Sequence, residues 1–101
     1  MSKLAMLGKL VAAPGRRDDL VAEMTAAIAR LAGEEGTLLY LMHEDSAHPD
    51  TLWFYELYTD QAALEAHESS AWAAQLGARL GPLISAAPEI TSLRPLAGKG
   101  L

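Results

Sequence analysis

The chain has 101 residues, half of them hydrophobic, and a formal net charge of −5. That is enough chain for one domain and too little for two, and the acidic balance, with no stripe of lysine or arginine, excludes a nucleic-acid surface. The absence of cysteine rules out disulfides, thiolate metal sites, iron–sulfur clusters and cysteine nucleophiles, so packing must carry the fold.

Lys3 to Ala12 (KLAMLGKLVA) is apolar on both alternating sets, with Leu4, Met6 and Leu10 on one side and Ala5, Leu7 and Val11 on the other. It is predicted as a strand buried on both faces. Pro14-Gly15 breaks it, and Arg16-Arg17 followed by Asp18-Asp19 has the character of a solvated first helical turn. The period then changes: Leu20, Met24, Ala27, Ile28 and Leu31 recur at helical spacing, predicting an amphipathic helix of about four turns that closes near Gly33.

After Glu35-Gly36, Thr37 to Glu44 (TLLYLMHE) is a second strand, with Leu38, Tyr40 and Met42 on one face and Leu39, Leu41 and His43 on the other. The stretch from Asp45 to Asp50 is polar and carries a proline, as a loop does. Thr51 to Thr59 (TLWFYELYT), dense in aromatic and β-branched residues, is a third strand and pairs most simply with the second as an antiparallel hairpin. Asp60 is placed to cap a short helix over Gln61 to His67. Ser69 or Ser70 caps the next, in which Trp72, Leu76 and Leu80 share one face before Gly81-Pro82 stops it. From Pro88 to Leu96 a β pattern surrounds Ile90 and Leu93, restricted by Pro95 to a strand end or an edge, and Leu96 to Leu101 has the composition of a loose end.

The order strand, helix, strand, strand, helix pair, strand is that of a single ferredoxin-like α+β domain, a split βαβ protomer with a four-stranded antiparallel sheet and helices on one face. Helices cover only one face of such a sheet, yet the first three strands are apolar on both. A second copy of the chain closing the open face, a homodimer, is therefore expected. Met1-Ser2-Lys3-Leu4 does not begin a secretory signal and no apolar run reaches membrane-spanning length, so a cytoplasmic protein with no membrane partner is expected.

Among polar residues, His67 falls on the helix face of Ala63 and Leu64 and is expected to look toward the sheet. Imidazole chemistry operates near neutral pH, so His67 is a candidate base for a phenolic proton; a structural histidine bonded to a backbone carbonyl or to Glu56 is the other possibility. Glu56 sits in an otherwise apolar strand and needs a partner, for which His67, Arg79 and Arg94 are the candidates. Strand parity and helix phase put Tyr40, Tyr58 and Trp72 on the helix-covered side, either as plain core or as the walls of a flat aromatic cavity. His43, Asp45, His48 and Asp50 match no common metal-ligand spacing and suit a polar hairpin loop. No glycine-rich phosphate loop, GxSxG elbow or dinucleotide fingerprint supports a nucleotide cofactor.

Several of these pieces carry a family pattern: Ala13-Pro14-Gly15 after the first strand, Glu35-Gly36-Thr37-Leu38-Leu39-Tyr40 into the second, and His43-Glu44-Asp45 leading to Pro49-Asp50. Phe54-Tyr55-Glu56-Leu57-Tyr58 and Ala63-Leu64-Glu65-Ala66-His67 follow at fixed separation, then Ser70-Ala71-Trp72. Together they resemble the antibiotic biosynthesis monooxygenase superfamily over nearly the whole chain. The resemblance implies a ferredoxin-like protomer in a dimeric α/β barrel and a cofactor-independent monooxygenase of the quinol type. Its substrate would be an aromatic hydroquinone or phenol which, once deprotonated, passes an electron to dioxygen itself. For such chemistry the chain offers His67 as catalytic base, Glu56 as the catalytic carboxylate that orients or charges the imidazole or else as a structural ion pair, and Tyr40, Tyr58 and Trp72 as substrate contacts. The same superfamily contains haem-degrading enzymes, an isomerase branch and members without known activity, so a binding module without catalysis and an isomerase of a small carbonyl compound stand as alternatives. Two departures are evident. The chain contains no asparagine, which several members place in the pocket, and Leu76-Gly77-Ala78 stands where haem-degrading members carry an iron-ligating histidine. Haem degradation is not expected.

Overall fold

The computed structural model describes residues 2–100; Met1 and Leu101, the two ends of the chain, lie outside the described residues. The elements are β1 (Leu4–Val11), α1 (Arg17–Arg30), β2 (Thr37–Glu44), β3 (Thr51–Tyr58), α2 (Gln61–Glu68), α3 (Ala71–Leu80) and β4 (Glu89–Leu93), with 3₁₀ turns at Leu31–Gly33 and Gly81–Leu83. They occur in the predicted order, and each strand begins and ends within three residues of its predicted bounds. The four strands form one antiparallel sheet in the order β2-β3-β1-β4, the ferredoxin-like arrangement. Pro95 follows β4, which is an edge strand as expected.

Register decides what shares a face. Glu56 lies between Met6 on β1 and Tyr40 on β2, and Phe54 between Gly8 and Met42. This face meets the helices: Leu10, Leu52 and Phe54 pack with Leu20, Met24 and Ala27 of α1 and Leu80 of α3. Full burial of one such leucine, methionine or phenylalanine contributes roughly 1.5–3 kcal/mol, which makes this layer the main source of stability. A smaller cluster of Met6, Tyr58 and Leu64 anchors α2 at one end of the sheet. The opposite face stays open. There Leu39, Leu41 and Leu93 are 40%, 45% and 38% exposed beside Leu7, Trp53 and Tyr55, which is the two-faced apolarity seen in the sequence.

The helix starts follow local chemistry. Asp60 Oδ1 accepts the Ala63 amide at 2.9 Å and opens α2; of the two serines considered, Ser70 caps α3, its Oγ accepting the Ala73 amide at 3.1 Å. The β2–β3 loop is ordered by Asp45, whose Oδ2 accepts the Trp53 indole N–H at 2.8 Å while Oδ1 accepts the amides of Ala47 and His48. Asp45 is thus a turn residue, as a polar loop requires.

One close approach positions α2. Gly36, at the start of β2, accepts the Thr59 amide at its carbonyl, and a Cβ at this position would lie 2.5 Å from the Cβ of Ala63. Only a residue without a side chain lets the β2 corner and α2 come this near.

Candidate active site

The sheet's helix-facing side and the α1/α3 layer border an open-sided cavity of about 170 Å³. Gly8, Tyr40 and Glu56 line it from the sheet, and Met24, Leu76 and Leu80 from the helices. Gly8 opens the floor: a methyl group there would sit 3.6 Å from Phe54 Cβ and 3.7 Å from Glu56 Oε2, inside the space the cavity now occupies. A larger hollow of about 510 Å³ lies on the outer surface between α1 and the turn after α3. Its arginines are already paired, Arg16 with Asp19 at 2.8 Å and Arg79 with Glu23 at 3.0 Å, so it offers no uncommitted charge.

Glu56 lines the 170 Å³ cavity from β3 together with the Tyr40 phenol, and Lys9 and Glu89 line it as well. The expected partners of Glu56 were His67, Arg79 or Arg94, but the Tyr58 hydroxyl donates to Glu56 Oε1 at 2.5 Å instead, and Arg79 is held by Glu23. The reason is strand geometry: residues 56 and 58 are i and i+2 on one strand, so their side chains rise from the same face. Burial pushes the Glu56 carboxyl above its usual 4.5, against the opposing effects of the Tyr58 hydrogen bond and the His67 charge. Loss of water around Tyr40, reinforced by the charges of Glu56 and Glu34, pushes its phenol above the usual 10.0 and keeps it a hydrogen-bond donor. Tyr58 is shifted the same way, first by burial and then by its bond to Glu56.

His67 lies in an aromatic cage, its ring centroid 6.0 Å from Tyr40, 5.5 Å from Tyr58 and 6.4 Å from Trp72. Its carboxylate partner is Glu34, not Glu56: Nδ1 is 2.8 Å from Glu34 Oε1, and the Thr37 hydroxyl donates to the same oxygen at 2.8 Å. Among the described residues no side-chain nitrogen or oxygen is both sealed from solvent and without a hydrogen bond. The unbonded His67 Nε2, Glu56 Oε2 and Tyr40 hydroxyl therefore all reach open space.

The five candidate residues thus separate. Tyr40 and Glu56 line the cavity, and His67 stands beside Tyr40. Tyr58 is fully buried and acts on the cavity only through Glu56. Trp72 packs on the core from α3 with Arg30 over its ring at 5.5 Å and does not line this cavity. Two site residues escaped the sequence reading. Gly8 had a signal, a lone glycine inside a strand; Glu34 had none, since its partner is 33 residues away.

The family model for antibiotic biosynthesis monooxygenases matches residues 4–79. Among solved structures the chain is similar to NE2512 from Nitrosomonas europaea, a protein of unknown function, with a TM-score of 0.86 and 30% identity over 98% of this chain and 94% of that one. Similar too are Rv0793 from Mycobacterium tuberculosis, with a TM-score of 0.88 and 27% identity over 96% and 98% of the two chains, and a candidate antibiotic biosynthesis monooxygenase from Chloroflexus aurantiacus, with a TM-score of 0.81 and 29% identity over 98% of each. Comparison with curated proteins gives no match. On the strength of the match across residues 4–79 and of the shared fold, the chain belongs to the antibiotic biosynthesis monooxygenase family.

Proposed function

We propose that this protein is a cofactor-independent monooxygenase that reacts an aromatic hydroquinone or phenol with dioxygen. The observation that carries the reading is Glu56, a carboxylate with a raised pKa, one oxygen tied to Tyr58 and the other free beside a cavity lined mainly by apolar side chains, with Lys9 and Glu89 also among its lining residues. A general base works best when its pKa approaches the operating pH, and burial moves Glu56 in that direction. Its Oε2 accepts the substrate's hydroxyl proton, while the Tyr40 phenol donates a hydrogen bond to the oxygen where charge develops. The second hydroxyl is assigned to His67, which stands beside Tyr40 at a ring-centroid separation of 6.0 Å and lines the neighbouring hollow at the α2 corner. The electron-rich anion gives an electron to dioxygen and the two radicals join at a ring carbon that bears hydrogen. That hydrogen leaves as a proton, the O–O bond breaks with release of water, and one oxygen atom remains as a new carbonyl.

The cavity suits one aromatic ring. A dry cavity on the order of 150 Å³ accepts benzene, and this one has about 170 Å³. Its apolar side chains from Met24, Phe54, Leu76 and Leu80 would shield the anion on the helix side and strengthen each polar contact there.

The open sheet face completes the proposal. Exposed Leu39, Leu41 and Leu93, with the aromatic residues between them, are best covered by the same face of a second copy, as a homodimer. Light scattering would give twice the 10.8 kDa chain mass; a monomer at micromolar concentration refutes the dimer.

Oxygen uptake with a panel of hydroquinones tests the chemistry. Wild type should exceed autoxidation, with Glu56→Gln and His67→Ala each slower by about 100-fold or more. Ligand binding without uptake would favour a binding module, and turnover of a carbonyl compound without oxygen would favour an isomerase.

A further inference from the structure

We propose that Glu34 is a positioning residue for His67: its carboxylate holds the imidazole in the Nδ1–H tautomer and presents Nε2 as the reacting nitrogen. The inference rests on the monooxygenase reading for its kinetic consequence, but not for the tautomer.

A carboxylate only accepts hydrogen bonds, so the ring nitrogen 2.8 Å from Glu34 Oε1 carries the proton. In a neutral imidazole the lone pair then belongs to the other nitrogen, Nε2, which has no hydrogen bond among the described residues and reaches open space. The groups facing the ring are Glu34 from the β2 corner, Tyr40 from β2, Tyr58 and Glu56 from β3, and Trp72 from α3. Of these, only Glu34 touches a ring nitrogen. Both side chains are largely withdrawn from solvent, 13% exposed for His67 and 30% for Glu34, which strengthens the bond over a surface pair.

The carboxylate is itself held in place. The Thr37 hydroxyl donates to the same oxygen, and the Thr37 amide donates to the Glu34 carbonyl at 3.1 Å, so Glu34 closes a tight turn. Next to it Gly36 brings α2 against the corner. Carboxylate and imidazole thus sit on two elements locked at van der Waals distance. When Nε2 takes a proton, the imidazolium that forms already has a counter-charge and needs no rearrangement.

The test is ¹⁵N NMR of the uniformly labelled full-length protein, with the His67 ring nitrogens identified by their loss in His67→Ala. Wild type should show a protonated Nδ1 and a bare Nε2 in the neutral ring. In Glu34→Gln, whose amide can donate as well as accept, the population should move toward the Nε2–H form. Turnover of a hydroquinone should fall about tenfold or more in kcat, with KM changing much less and Glu34→Asp recovering part of the loss. An Nε2–H tautomer in wild type overturns the inference, and so does a Glu34→Gln variant with unchanged tautomer and kcat. Should Glu34→Gln not fold, the wild-type tautomer decides alone. If the tautomer responds as expected but wild type consumes no oxygen, the positioning stands and the monooxygenase reading falls.

Discussion

Gly36→Ala and Gly77→Ala are the same chemical change and should have opposite effects. At Gly36 the new Cβ would lie 2.5 Å from the Cβ of Ala63, 3.5 Å from its Cα and 3.4 Å from Thr59 Oγ1. Carbon atoms rest at about 3.5–4.0 Å, so α2 must retreat by about 1 Å. The obstacle is a methyl group fixed to a capped helix, with no rotamer to escape into. Overpacking of this kind costs about 1–3 kcal/mol. The backbone at Gly36 is not left-handed, so alanine recovers about 0.4–1 kcal/mol by restricting the unfolded chain; a 2.5 Å contact puts the overpacking in the upper half of its range, about 2–3 kcal/mol, which leaves a net loss of about 1–2.5 kcal/mol. Gly77 lies exposed inside α3 and, beyond its own helix turn, no atom of the described residues comes within 4 Å of the position a methyl group would take, so alanine there should gain about 0.5–1 kcal/mol. Each kcal/mol moves the midpoint of a domain this size by about 4–8 °C. Thermal and urea unfolding followed by circular dichroism, at equal protein concentrations because association would add stability, measures both. A Gly36→Ala variant as stable as wild type, or two variants shifting in the same direction, would refute the packing argument at the α2 corner.

Burial holds the Glu56 carboxyl above 4.5, so the folded protein binds this proton more tightly than the unfolded chain. Wild type should therefore lose stability relative to Glu56→Gln as pH rises from about 4.5 through the raised value, the difference levelling off above it. Urea unfolding of both proteins across this range reads the effect, and a pH-independent difference would contradict it. Leu41→Glu puts a charge on the open sheet face, midway along the edge strand β2, where the leucine is 45% exposed. Light scattering should then shift from dimer to monomer with the far-ultraviolet spectrum unchanged, and an intact dimer would show that another surface makes the contact.

The site follows from a division of labour between face and corner. Strand alternation carries Glu56, Tyr40 and Phe54 to one side of the sheet, and the absence of a side chain at Gly8 leaves room above them. His67 comes from a helix instead, so its position depends on how α2 meets the start of β2. The sheet chemistry could therefore survive small changes at the corner that would disable the histidine.

Much of this arrangement is legible in the chain. Periods of two and 3.6 give the order of elements, Asp60 and a serine before Ala71 mark the helix starts, and strand parity puts Tyr40 and Glu56 on the helix-covered face. The two-faced apolarity of the strands is visible as well. These features are short-range: a cap acts on amides three residues away, and alternation follows from the backbone of one strand. What the residues alone do not decide is which groups meet. Opposite charges attract at any sequence separation, which points Glu56 to His67 or an arginine, whereas the neighbour in reach is the Tyr58 hydroxyl two residues on. The partner of His67 is Glu34, 33 residues away at the turn before β2, and Trp72 keeps its helix face while falling outside the cavity. Sequence by itself determined the elements and their faces, because those depend on local backbone geometry; only the tertiary structure decided the pairing of Glu34 with His67 and of Tyr58 with Glu56, because a hydrogen bond tolerates only a few tenths of an ångström and that precision comes from packing.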